Sequence, residues 1–287
     1  AIMADLLLEL FSEEIPARMQ AEAIAHLQKA LIEKLAKEGI TAAPPQSYST
    51  PRRLALWVKN LPTEQAATEE ELKGPKTNAP EAALAGFLKK TGLTKDQLTE
   101  RDGTYFAVIR KQAQPTTALL KTAIEEICSS FPWPKSMRWP APAALEREQN
   151  TKPISCQWVR PLHNILCIFN SEVIPATFAG LTANNQTFGH RFLSPAAITI
   201  NNPAEYEAAL HKAFVLANRE TRKAEVLKQA EAAAKTSGLQ LKKDEALLEE
   251  VTGLVEWPTI LTGTIDDAFM DLPKEVLVSE MRAHQKY

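Results

Sequence analysis

The sequence predicts an α+β fold, with mixed or antiparallel sheets and helices packed on them. Three observations lead there. Residues 5–11, DLLLELF, form a short and almost unbroken apolar run, as a buried strand does. Residues 17–37 are rich in Ala, Leu, Glu and Lys, with apolar positions at helical spacing. Elsewhere helices and strands mix without the regular alternation that builds a parallel sheet.

Taken in order, the apolar strand at 5–11 runs through SEEIP into the helix at 17–37, which Gly39 ends just past its last turn. APPQSYSTP reads as a loop. RRLALWVKNL then alternates Leu54, Leu56 and Val58 against Arg53, Ala55, Trp57 and Lys59, the two-residue period of a strand. Residues 60–103 are polar and punctuated, with helices near 81–90 and 95–98. An Asp-Gly turn leads into a strand at 105–111, and Pro115 opens a helix reaching about Ser129. The stretch 131–153 holds five prolines and two tryptophans and predicts irregular chain. VRPLHNILCIFNSEVIPATFAG predicts paired strands turning at Asn170-Ser171. A strand near 197–200 follows, then helices at 204–212, 218–237 with Asn218 as its cap, and 244–254. PTILTGTI is a last strand candidate before a closing helix at 274–286. The proline-rich loop divides the chain into an N-terminal α+β domain at 1–130, a connecting segment at 131–157 and a second α+β part at 158–287.

Composition narrows the function classes. With 33 Lys and Arg against 35 Asp and Glu, the net charge of −2 supplies no global pull toward nucleic acid, so any such contact needs a local patch. No apolar run approaches membrane-spanning length. Three scattered cysteines, Cys128, Cys156 and Cys167, make no CxxC and no disulfide framework, which predicts a reducing cytoplasm. The common phosphate, dinucleotide, zinc-protease and serine-hydrolase motifs are missing. Cys156, Cys167 and His163 are the nearest approach to a metal set, and no metal site is expected.

Glu13 and Glu14 stand at a strand-to-helix junction, where paired carboxylates suit either a cation or the positive end of a helix dipole. Glu249, Glu250 and Glu256 read as a solvated helix edge. From residue 131 to 193 there are six Lys or Arg against three Glu, interleaved with aromatics. Arg52, Arg53, Lys135, Arg138, Arg160, His190 and Arg191 are therefore candidates for gripping a sugar-phosphate backbone. Packing of Arg on Trp inside the fold is the competing explanation.

FSEEIPARM, STPRRLAL, KGP, PKSMRW, VRPLHNIL, GHRFL, LLEEVTGLVEWP and MRAHQKY occur here in one order. Together they resemble the beta subunit of bacterial glycyl-tRNA synthetase, from about residue 5 to the last residue. The stretch PAPAALEREQNTKPISCQ departs from that pattern, which has a shorter link there. The resemblance implies an α2β2 ligase that joins glycine to tRNA(Gly) using ATP. The active site, with its ATP and Mg, then lies in the alpha subunit, and no cofactor is bound by these residues. It also implies that HQKY continues into several hundred further residues, so that the closing helix is truncated at Tyr287. The N-terminal part is further similar to the editing-type domain of the phenylalanyl-tRNA synthetase beta chain. Editing itself is not expected, because a pocket for glycine excludes larger amino acids by steric clash. The expectation is thus a module with no catalytic residue of its own. It would support tRNA binding and assembly beside the alpha subunit in the cytoplasm, away from any membrane. Two alternatives stay open: an editing-like hydrolase of mischarged tRNA using Glu13, Glu14 or His163, and a purely architectural interface domain.

Overall fold

The computed structural model describes residues 2–140 and 155–287. In chain order, strand β1 (Met3–Ser12) is followed by helix α1 (Ala17–Lys37), β2 (Gln46–Thr50) and β3 (Arg53–Pro62). Next come β4 (Glu64–Gln65), β5 (Thr68–Lys76), α2 (Glu81–Thr91), β6 (Thr99–Arg101), β7 (Thr104–Lys111), β8 (Gln114–Pro115) and α3 (Thr116–Ser129). β9 (Met137–Pro140) and β10 (Ser155–Trp158) flank the residues outside the description, which include most of the departure from the family pattern. The rest comprises β11 (Leu162–Phe169), β12 (Glu172–Val173), β13 (Thr177–Phe178), β14 (Leu181–Thr182), β15 (Gln186–Phe188), β16 (Ala197–Thr199), α4 (Tyr206–Lys212), α5 (Arg219–Thr236), α6 (Glu245–Thr252) and α7 (Lys274–Glu280). The α+β class is as expected.

The centre is an antiparallel sheet in the order β12-β11-β1-β3-β2. β1 lies in its middle and is covered on both faces, which explains its unbroken apolar run. Leu6, Leu8 and Leu10 face α1 and α3, while Leu7 faces the layer of Tyr206, Leu210 and Val215. On α1, Met19, Ala23, Leu27, Leu31 and Leu35 recur every fourth residue and are buried against the first face. Complete burial of each such Leu contributes about 2 kcal/mol. Gly39, at φ 75°, turns the chain out of the helix.

The structure corrects three expectations. Residues 46–50, read as loop, form edge strand β2, because Gln46 to Thr50 complete the hydrogen bonds of β3. PTILTGTI is not a strand: among the described residues it joins no ladder, and the Ile260 N–H donates to Gln229 Oε1 on α5 at 3.1 Å. The closing helix is α-helical only to Glu280, continues as a π turn over Met281–Gln285, and ends at Lys286 in a left-handed conformation, φ 62°. β11, from beyond the proline-rich segment, inserts beside β1, and one apolar cluster draws on residues from both sides of it.

Local signals held well elsewhere. Asp102 and Gly103, at φ 49° and 64°, make the tight turn between β6 and β7, and Asn170 at φ 51° turns β11 into β12. Asn218 and Asp244 accept hydrogen bonds from the backbone N–H groups of Thr221 and Leu247, capping α5 and α6.

Candidate nucleic-acid interface

The sequence motifs converge at one end of the central sheet. Where β1 runs out, the N–H of Ser12 donates to the Arg52 carbonyl at 2.8 Å and that of Glu13 to the Pro161 carbonyl at 2.9 Å. The N–H of Ile15 reaches the Pro51 carbonyl at 2.6 Å. FSEEIP, TPRR and VRPLH are thus held side by side by backbone. GHRFL closes the cluster through Arg191, which donates to Glu13 Oε2 at 3.0 Å and Glu14 Oε1 at 3.1 Å. His163 Nε2 lies 2.7 Å from Glu13 Oε1. Partial burial opposes ionisation of Glu13, but its bonds to His163 and Arg191 win and hold its carboxyl below the usual range.

Arg52 is half-buried, with its guanidinium 4.5 Å above the Phe11 ring, which stacks on Phe188 at 5.3 Å. Its Nε is buried and, among the described residues, has no hydrogen-bond partner. Burial and the nearby Arg191 charge weaken its hold on the proton. The next loop is a compact knuckle. The His190 N–H donates to the Ala213 carbonyl at 2.9 Å, Ser194 N–H returns to His190 at 3.0 Å, and His190 Nδ1 accepts from the N–H of Phe192 and Leu193. A Cβ on Gly189 would fall onto the Ser194 carbonyl, so only glycine fits. The knuckle holds Phe192 81% exposed, 5.9 Å from the Arg191 guanidinium.

Arg53 is elsewhere. It lies fully buried under this surface and presents nothing to a phosphate. Its Nε and Nη2 form a fork on Glu256, at 2.9 Å and 3.4 Å, and Nη1 reaches Glu9 Oε2 at 3.3 Å and the Phe188 carbonyl at 3.0 Å. Thr50 donates to Glu256 at 2.6 Å, and Thr187 and Tyr206 donate to Glu9. Burial works against the Arg53 charge, yet Glu256 and Glu9 outweigh it and raise its proton affinity. Burial likewise opposes the Glu256 carboxylate, and Arg53 overcomes it, holding the carboxyl below its ordinary value. Burial and Glu9 push the Tyr206 hydroxyl well up. The expected solvated edge is therefore split. Glu249 and Glu250 sit on α6 paired with Arg219 and Lys286, whereas Glu256 lies beyond the helix, in the interior.

Arg160 is half-buried and donates to its neighbour's carbonyl, Val159, at 2.7 Å. Lys135 and Arg138 are exposed at the β9–β10 hairpin. Among the described residues no hydrogen bond or ion pair joins them to the sheet-end cluster. The tryptophans flanking them are not stacking platforms. Trp133 packs with Phe131 and Trp158 at 4.7 Å and 5.0 Å, and Trp139 lies against the same core. Among the described residues no His, Cys, Asp or Glu group is arranged to hold a metal ion. Cys167 is fully buried and burial pushes its thiol up, while Cys128 rises to about 12 for the same reason. Neither the groove between α6 and α7 nor the one beside α2 includes Glu13, Glu14 or His163.

Sequence reasoning missed Glu9, Thr187, Tyr206 and Phe192. Glu9, set between leucines in DLLLELF, was the available signal for the buried network. A charge placed in an apolar strand needs a partner across the fold.

A profile of the family described as "Glycyl-tRNA synthetase beta subunit" matches residues 6–287. The "Glycine--tRNA ligase beta subunit" of a Ruegeria species is 45% identical over 293 residues, which is 99% of this chain and 41% of that protein. Those of Paracoccus denitrificans and Phenylobacterium zucineum are 44% and 45% identical, each over 99% of this chain and 41% of their own length. The chain spans about two fifths of the curated relatives it matches.

Proposed function

The chain belongs to the glycyl-tRNA synthetase beta subunit family, and from that premise we propose that it supports tRNA binding and assembly in a glycine–tRNA ligase. An alpha subunit would hold the adenylate-forming site with its ATP and Mg, two copies of each subunit would form the enzyme, and the whole would work in the cytoplasm.

One observation carries the RNA part of this reading. Arg52, His190 and Arg191 gather at one sheet end beside an aromatic ring, Phe192, that a rigid knuckle holds in solvent. Guanidinium donors next to an exposed ring suit phosphates and an unstacked base. Lys135 and Arg138 offer a second exposed pair of cations on the β9–β10 hairpin. Glu13 and His163 sit at hydrogen-bond distance, the spacing an acid–base pair requires, but Arg191 already neutralises Glu13. Positioning rather than hydrolysis is therefore the function we assign to them.

The test is glycine charging by the complete beta subunit with its alpha subunit, beside a beta subunit lacking residues 1–287. Loss of charging with tRNA still bound supports the positioning and assembly role, and undiminished charging refutes it. For the RNA contact, Arg52→Gln and Lys135→Gln in the complete enzyme should each weaken tRNA binding and lower its salt slope by about one. Unchanged affinity and slope in both would remove RNA from the assignment and leave an architectural module.

A further inference from the structure

Residues 66–113 leave the body of the protein and return to the place they left. The excursion starts where β3 ends and closes where α3 begins. Its neck is the pair β4 and β8, with Glu64 opposite Pro115 and Gln65 opposite Gln114. The N–H of Thr116 donates to the Thr63 carbonyl at 2.9 Å, and its hydroxyl bonds the Pro62 carbonyl, fastening the base to the body.

Beyond the neck stands a separate three-stranded sheet, β5-β7-β6, with α2 laid on one face and the Phe87 ring against Gly74. Neither apolar cluster of the body contains a residue from this segment. Helix α2 has no buried residue at all. Among the described residues, the hydrogen bonds and ion pairs of 68–110 close within the segment. Thr77 pairs with the Gly103 carbonyl, Arg101 with Glu71, and Arg110 with Glu69. Among the described residues, the hydrogen bonds that fasten the segment to the body lie at the neck.

We infer that residues 66–113 are a hinge-mounted arm that moves as one unit about the β4–β8 neck. Small and polar contacts inside a chain leave relative motion as the default, and this arm shares no apolar core with the body. The central sheet, β12-β11-β1-β3-β2, includes no strand of the arm.

Two measurements on the full chain test this. Cys128, Cys156 and Cys167 are buried, so spin labels go selectively to introduced cysteines. Glu22→Cys on α1 with Lys89→Cys on α2 reports arm against body. Glu22→Cys with Ala208→Cys on α4 reports two layers packed on the same sheet. The arm distance should be distributed more broadly than the control, and equal widths would overturn the inference. Separately, a short Gly-Ser linker replaces residues 66–113. The urea midpoint of the remaining body should change no more than for a surface substitution, and an unfolded or strongly weakened body would show that the arm is part of the core.

Discussion

Replacing Arg53 with Met should destabilise the protein by about 3–5 kcal/mol at pH 7, the usual cost of removing one partner from a buried ion pair. The substitution roughly keeps side-chain length, so the loss is electrostatic rather than a cavity. It strips Glu256 of a two-pronged donor and Glu9 of one, and both carboxylates are at most 5% exposed. Relief is available only by protonation, and for a carboxyl that titrates near 4.3 in the unfolded chain this costs about 3.7 kcal/mol at pH 7. The pH dependence is diagnostic. In the wild type the folded Glu256 carboxyl is held low, so its stabilisation is present above the unfolded pKa and is lost as pH falls through the folded one. In the variant a buried carboxyl that keeps its hydroxyl donors but has lost its counter-charge is pushed up. Its penalty then shrinks as pH falls, by about 1.4 kcal/mol per pH unit and per proton taken up. Urea unfolding of both proteins at pH 7, 6 and 5 should show the gap narrowing toward acid. A gap below about 1 kcal/mol at pH 7, or one constant from pH 7 to 5, would refute the claim that Arg53 neutralises two interior carboxylates.

Other outcomes follow from single contacts. Leu27→Ala removes a fully buried side chain from the α1 face and should cost about 2–5 kcal/mol in urea unfolding. Gly189→Ala drives a methyl group onto the Ser194 carbonyl and to 2.7 Å from Ala213 Cβ. It should cost about 1–3 kcal/mol and release the knuckle, seen as faster amide exchange at Phe192 and Leu193. Arg191→Gln removes a donor from Glu13, so the carboxyl should titrate higher than in the wild type by carbon NMR, while its bond to His163 keeps part of the depression. Arg222→Met leaves the carbonyls of Thr252, Leu216 and Ser49 without their shared donor and should lower stability by about 3 kcal/mol.

How much of this was legible in the residues depends on the range of the interaction. Helix α1 could be read because Leu27, Leu31 and Leu35 repeat within two turns. The turns at Asp102-Gly103 and Asn170 could be read because left-handed backbone favours those residue types locally. The sheet-end cluster was half legible: Arg52, His163 and Arg191 stood out as motif residues, but the meeting of His163 and Arg191 on Glu13, with the Arg52 charge nearby, was not. Arg53 looked like its neighbour. Adjacent strand residues point to opposite faces or shift in register, and only the partner strand decides which one is covered.

The sequence by itself determined the α+β class, the family, the buried character of β1 and the cap of α5, because periodicity and capping involve residues a few positions apart. Tertiary structure alone decided that β11 joins β1, that 66–113 stands outside the core, and that Glu256 meets Arg53 across 203 residues of chain. A charge's partner is set by which strands lie side by side. That arrangement follows from how the apolar faces of all the elements are buried together, and no local window contains it.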